Sequence, residues 1–141
     1  MDISNAKQLS EILENRSDQE IVSTVTEMGL ESSLEKVFEG MTKAFLPAQA
    51  TGQSAVIQWD VNAGGGVHSY QLKVADGKCT ASKGAADKAR VTLGVDLPTF
   101  LRVITGKING QQAFFNGKLK LAGDMMFAMT QEKWFDKNWG G

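Results

Sequence analysis

Few residues of this chain have the chemistry of a catalyst. His68 is its one histidine, and as a general base it would need a nucleophile and an orienting carboxylate beside it. On a strand its neighbours Val67 and Ser69 alternate away from it, so Ser69 points to the opposite sheet face. A hydrolase built on His68 therefore has no support in the local sequence. Cys79 is the single cysteine, so an internal disulfide and a thiolate metal site are both excluded. On a strand it reads as a small buried hydrophobe rather than a nucleophile. Gly64-Gly65-Gly66 lacks the Gly-Lys-Ser/Thr ending of a phosphate loop. The acids show no calcium or zinc ligand spacing. No catalytic residue, metal or cofactor is assigned.

What stands out instead is apolar. The stretch Pro98–Met129 packs two apolar helical patterns, a tight Asn109-Gly110 turn, the Phe114-Phe115 pair and a short strand into about a quarter of the chain. Met125, Met126 and Met129 give its last helix flexible, polarizable side chains, which fill core gaps or suit a ligand of variable shape. Phe100, Leu101 and Ile104 form an apolar helix side ahead of them. Such a segment either completes a core or lines a cavity for something apolar.

Composition bounds the rest. A chain of 141 residues is expected to be one domain, and 22% charged residues with a net charge of −1 is ordinary for a soluble protein. Near neutrality supplies no footprint for nucleic acid. Residues 1–50 carry nine acids against four bases and residues 51–141 eleven bases against seven acids. That asymmetry fits solvated surface charge or attraction of an anionic head group. Neither a signal peptide nor a membrane-spanning run is legible, Trp139-Gly140-Gly141 is not a peroxisomal address, and a cytoplasmic location is expected.

The elements follow from periodicity. Residues 5–14 predict a helix with Leu9, Ile12 and Leu13 on one face and Ser4 as its cap. Ser17 and Glu20 form a capping box for a second helix that stops at Gly29, and Leu30 to Phe45 carry a third stripe, closed by Pro47. From Gln53 the period is two, with strands around Trp59, Tyr70, Cys79 and Val91–Val95 predicting a four-stranded meander. Asp76-Gly77 is a hairpin turn. Asp96, Asn109 and Asp124 cap three further helices, with a fifth strand at Leu119 and Leu121. The sum is an α+β fold, a five-stranded, mainly antiparallel sheet with helices over one face.

Residues 97–129 carry a closer likeness. A Phe-Leu helix leads into Thr105-Gly106-Lys107, then Ile108-Asn109, Gln112-Ala113-Phe114-Phe115, Gly117-Lys118-Leu119-Lys120 and Gly123. That order and spacing resembles the sterol carrier protein 2 (SCP-2) domain. Trp59 on its strand, Asp76-Gly77-Lys78 and the strand Asp87–Leu93 are a looser match upstream. The likeness covers about residues 30–133, leaving 1–29 as an extra N-terminal helical segment of a single domain. Many members have Asn-Pro where this chain has Asn109-Gly110, which predicts the same turn with more mobility.

The resemblance implies an apolar tunnel between sheet and helices and a non-catalytic activity. That activity is binding and transfer of fatty acid, fatty acyl-CoA, phospholipid or sterol. It implies a tunnel lined from Phe100, Leu101, Ile104, Phe114, Phe115, Leu121, Met125, Met126 and Met129. Of the Phe pair, one side chain would line the cavity and the other pack the core. Lys107, Lys118 and Lys120 fall near its implied mouth, where they would meet a carboxylate or CoA phosphate. Transient membrane contact and a homodimer are compatible with it. The alternative is an interaction subunit that dimerises, or presents acyl-CoA to a partner enzyme, through the amphipathic N-terminal helices.

Overall fold

The computed structural model describes residues 6–136; Ser4 and Trp139-Gly140-Gly141 lie outside them. Helix α1 (Ala6–Leu13) and helix α2 (Asp18–Lys43) precede a 3-10 turn (Pro47–Ala50) and the strands β1 (Ala55–Ala63), β2 (Gly66–Ala75), β3 (Lys78–Lys83) and β4 (Val91–Asp96). Helices α3 (Leu97–Ile104) and α4 (Gly110–Phe115), strand β5 (Leu119–Gly123) and helix α5 (Met125–Glu132) complete the described chain. The Ser17–Glu20 capping box forms as the sequence predicts. The two expected helices of residues 17–45 join into α2 across a kink at Gly29, whose φ of 95° is a left-handed conformation that a side chain disfavours. Helix α2 ends at Lys43, before Pro47, because Phe45 leaves it to pair with Phe135.

The sheet is five-stranded in the order β3-β2-β1-β4-β5, mostly antiparallel with one parallel pair, β1 with β4. The expected meander is therefore corrected. Strand β4 does not pair with β3; it crosses to the far side of β1, where Trp59 faces Leu93 in register. Alternation alone sets which face a residue takes, not which strand is its neighbour. The burial explains the choice: β1 and β4 bury Ile57, Trp59, Val61, Val91, Leu93 and Val95, whereas β3 is short, polar and lysine-bearing. Such a strand suits an edge. The crossing loop is pinned in passing. The amide of Ala86 donates to Gln58 Oε1 at 2.9 Å, and Gln58 Nε2 donates to Asp60 Oδ1 at 2.8 Å.

Helices cover the apolar face. Leu9, Ile12 and Leu13 of α1 are buried in the same core as the sheet, and α1 packs on α3. The N-terminal helix is thus built into the domain rather than laid over it. An ion pair from Arg102 on α3 to Asp18 ties α3 to the start of α2 as well. In the core, aromatic rings run in a row from Tyr70 through Phe38 and Phe100 to Trp59, with successive centroids 4.5, 5.2 and 5.1 Å apart.

Candidate functional site: an apolar groove between sheet and helices

The groove lies where α3, α4 and α5 leave the sheet uncovered. Trp59, Leu93, Leu119 and Leu121 form its floor, which is possible because β1, β4 and β5 are neighbours after the crossover. Val103 and Ile104 wall one side. Phe114 comes from α4, and Met125, Ala128 and Met129 from α5. Met41, Ala44 and Phe135 close one end. About 760 Å³ lies between these walls, part of it the open mouth. The enclosed cavity is about 60 Å³, below the roughly 300–1,000 Å³ range of small-molecule sites, so a larger guest has to displace the lining side chains.

Caps aim the three helices. Thr99 N donates to Asp96 Oδ1 at 2.8 Å, Gln112 N to Asn109 Oδ1 at 2.6 Å and Phe127 N to Asp124 Oδ1 at 3.0 Å. Each satisfies one of the first-turn amides that a helix leaves unpaired. At α5 the cap is reinforced. Arg90 Nε sits 3.4 Å from Asp124 Oδ2, and its guanidinium lies 4.2 Å from the Phe127 ring centroid. The Phe127 amide, and then Arg90, hold the Asp124 carboxyl below its ordinary value. Gly123 makes the approach possible, since a Cβ there would stand 2.5 Å from the carbonyl oxygen of Arg90. Across the groove, Gly110 N donates to Glu132 Oε1 at 2.9 Å, joining α4 to α5. A proline at this turn would have no N–H to give. The glycine that reads as added mobility in the sequence is tied down here.

Of the nine apolar candidates, Ile104, Phe114, Leu121, Met125 and Met129 line this groove. Phe100 and Leu101 do not: both are fully buried in the core, Phe100 one turn before Ile104 on the same side of α3 and packed between Phe38 and Trp59. Phe115 and Met126 are 71% and 77% exposed and project outside it. The expected split of the Phe pair thus becomes one ring at the groove and one in solvent. Lys107, Lys118 and Lys120 are exposed and none lines the groove. Lys120 alternates with the inward Leu119 and Leu121, and its Cβ lies 3.7 Å from where a Cβ on Gly94 would stand, on the helix-free face. The charged lining residues are instead Glu132 and Asp136. Sequence reasoning missed these two, along with Trp59 and Phe135 as groove residues. The tail after α5 returns by chain pairing (Leu46 N to Trp134 O, 2.6 Å; Asp136 N to Ala44 O, 2.9 Å), which no local pattern announces.

The groups with catalytic potential stay apart. Ser69 Oγ donates to Asp60 Oδ1 at 2.8 Å, while His68 pairs with Val61 and takes the other sheet face. Burial pushes the Cys79 thiol up to about 12, which keeps it protonated and unreactive at neutral pH. Among the described residues no cluster of His, Cys, Asp and Glu could hold a metal ion. No helix there is long and apolar enough to cross a membrane.

Sheet, one-sided helices and an apolar groove between them define a small α+β ligand-pocket domain. The chain belongs to the SCP-2 sterol transfer family, whose sequence pattern matches residues 34–136. It is 39% identical over 66 residues to sterol carrier protein 2 of Homo sapiens, a match covering 47% of this chain and 12% of the human protein. Among solved structures, the inverting sec-alkylsulfatase Pisa1 from Pseudomonas sp. superposes with a TM-score of 0.65 at 21% identity, covering 73% of this chain and 16% of that one. The Aedes aegypti sterol carrier protein-2 complex with palmitate superposes at 0.53 and 16% identity, covering 69% and 93%. These likenesses carry the fold.

Proposed function

We propose that this protein binds and transfers a lipid in the groove, without chemistry: fatty acid, fatty acyl-CoA, phospholipid or sterol. The observation that carries this reading is the apolar floor of Trp59, Leu93, Leu119 and Leu121 facing the flexible Met125 and Met129. Membership of the SCP-2 sterol transfer family, and the palmitate named with the Aedes aegypti relative, support it. The energetics suffice without a catalytic group. Burying a methylene contributes about 0.8 kcal/mol, on the order of 12 kcal/mol gross for sixteen carbons. Immobilising the ligand offsets several kcal/mol of that. A cytoplasmic location and brief contact with a membrane belong to the same proposal. The exposed Phe115 and Met126 would touch the bilayer surface as lipid passes.

Native mass spectrometry of the purified protein, followed by organic extraction, tests it. One lipid per chain is the expected result. An apo mass that takes up neither palmitate, palmitoyl-CoA, phospholipid nor sterol would overturn it. The same exposed Phe115 and Met126 favour a second reading, an accessory subunit that docks on a partner enzyme or on a second copy of itself. Light scattering across a concentration series reads out the homodimer directly. The burial of α1 argues against the N-terminal helices as the docking element.

A further inference from the structure

The groove is soft on one side and fixed on the other. Where α4 and α5 border it, the lining residues Gln111, Met125 and Met129 are exposed. Where the end of α2 closes it, Met41 and Ala44 are buried, and Phe135 stands half-buried beside them. Water therefore reaches a guest's head group on the α4–α5 side, and the hydrophobic effect drives its hydrocarbon end toward Met41, Ala44 and Phe135.

With only about 60 Å³ enclosed, part of the lining has to give way to any lipid. Met125 and Met129 can yield, because they are unbranched, flexible and partly in solvent already. Phe135 is held from three directions. Trp134 before it is fully buried, meets Phe127 edge-on at 5.3 Å, and accepts the Leu46 amide on its carbonyl at 2.6 Å. Asp136 after it donates its amide to the Ala44 carbonyl at 2.9 Å. The Phe135 ring is backed by the buried Phe45 ring, 5.8 Å away between centroids. A hydrocarbon chain entering the groove thus pushes the methionines aside and stops at Phe135. We propose that Phe135 is an end wall that sets the length of hydrocarbon the groove accepts. Methylenes up to the wall are buried, and any beyond that number stay in water at the mouth. The inference rests on the lipid-binding reading above and names chain length as the property of the ligand that this site selects.

The test measures dissociation constants of the full chain for the even-numbered saturated fatty acids from octanoate to octadecanoate and for the corresponding 1-alkanols. Intrinsic tryptophan fluorescence reads the binding, since Trp59 is part of the groove floor. In the wild-type protein affinity is expected to rise by about fourfold per methylene, as burial of each one allows, and then to level off at one chain length. Either series shows that break, because the wall stands at the end away from the head group. Phe135→Ala should keep the same slope over the short members and carry the rise on to longer ones. Met126→Ala, changed outside the groove, should leave the break where it is. The proposal is overturned by a break at the same length in Phe135→Ala and wild type, by a wild-type rise with no break through the longest member, or by an equal displacement of the break in Met126→Ala. If Phe135→Ala does not fold, Phe135→Leu, which keeps an apolar side chain in a smaller volume, is read in the same way. Binding of no member of either series would instead remove the lipid-binding reading itself, and this proposal with it.

Discussion

Trp59 and Tyr70 stand directly opposite each other on β1 and β2, and each buries a polar atom that has no hydrogen-bond partner among the described residues. Their rings are joined through the helices rather than across the sheet, because Phe38 stacks on Tyr70, Phe100 stacks on Phe38, and Trp59 meets Phe100 edge-on. The row separates the groove on the Trp59 side from a shallow cleft between α2 and β3 on the Tyr70 side.

Phe100 is therefore a structural residue that holds Trp59 without lining the groove. Phe100→Ala is expected to lower stability by about 3–5 kcal/mol, the usual cost of emptying a buried aromatic site. Urea unfolding measures it, and a loss below about 1 kcal/mol would contradict the packing described.

The two classes of exposed and groove-lining apolar residue should separate in function. Phe114→Ala and Met129→Ala are expected to weaken lipid binding several-fold. Phe115→Ala and Met126→Ala should leave solution affinity unchanged and shift stability by no more than about 0.5 kcal/mol, as surface changes do. Isothermal titration with a soluble lipid and a vesicle-transfer assay distinguish them, with only the transfer rate falling for Phe115→Ala and Met126→Ala.

The Gly110–Glu132 hydrogen bond is the direct link between the two helices at the mouth. Glu132→Ala removes the acceptor and is expected to cost roughly 1.5–3 kcal/mol, the range for hydrogen bonds to charged groups. Glu132→Gln keeps an oxygen there and should recover most of it. Gly110→Pro suits the first helical position but has no N–H, so it should resemble Glu132→Ala in ligand exchange rate. Thermal unfolding and stopped-flow lipid release read these out.

Asp124 sets an acid limit. Its carboxyl is held below the ordinary value by the Phe127 amide and Arg90, so the folded state binds its proton less readily than the unfolded state does. The stabilisation is present above the unfolded value, about 4. It is lost as the pH falls from there through the lower folded value. Stability measured between pH 6 and pH 2 should show this fall, and Asp124→Asn should flatten it. An unchanged profile in Asp124→Asn would remove the cap from the account.

Much of the fold is legible in the sequence because its local signals are chemical. Ser17 with Glu20, Asp96, Asn109 and Asp124 are caps wherever they precede an apolar helical pattern, and all four helices start where those residues place them. Asp76-Gly77 turns the chain with positive φ at both residues. What is not legible is pairing between distant segments. Gln58 looks like any polar-face residue until the loop amide of Ala86 is found on it, and that contact accompanies the crossover that makes β1 central. Gln58→Leu is accordingly expected to cost about 1–3 kcal/mol by leaving the amide unpaired. The groove was half visible for the same reason. Leu121, Met125 and Met129 lie in the expected stretch, but Phe100 and Ile104 stand one turn apart on the same side of α3, so periodicity could not choose Ile104 over Phe100. Trp59 and Glu132 needed the assembled sheet and the α4–α5 contact to be seen.

The most direct test of the groove as the lipid site is methyl NMR on protein carrying carbon-13 at its methionine methyls, titrated with dodecan-1-ol. Met41, Met125 and Met129 line the groove, whereas Met28 and Met126 do not. The account predicts that the first three resonances move together with one binding curve while the other two stay within the solvent control. Movement confined to Met28 or Met126, or no movement at saturating lipid, would contradict it.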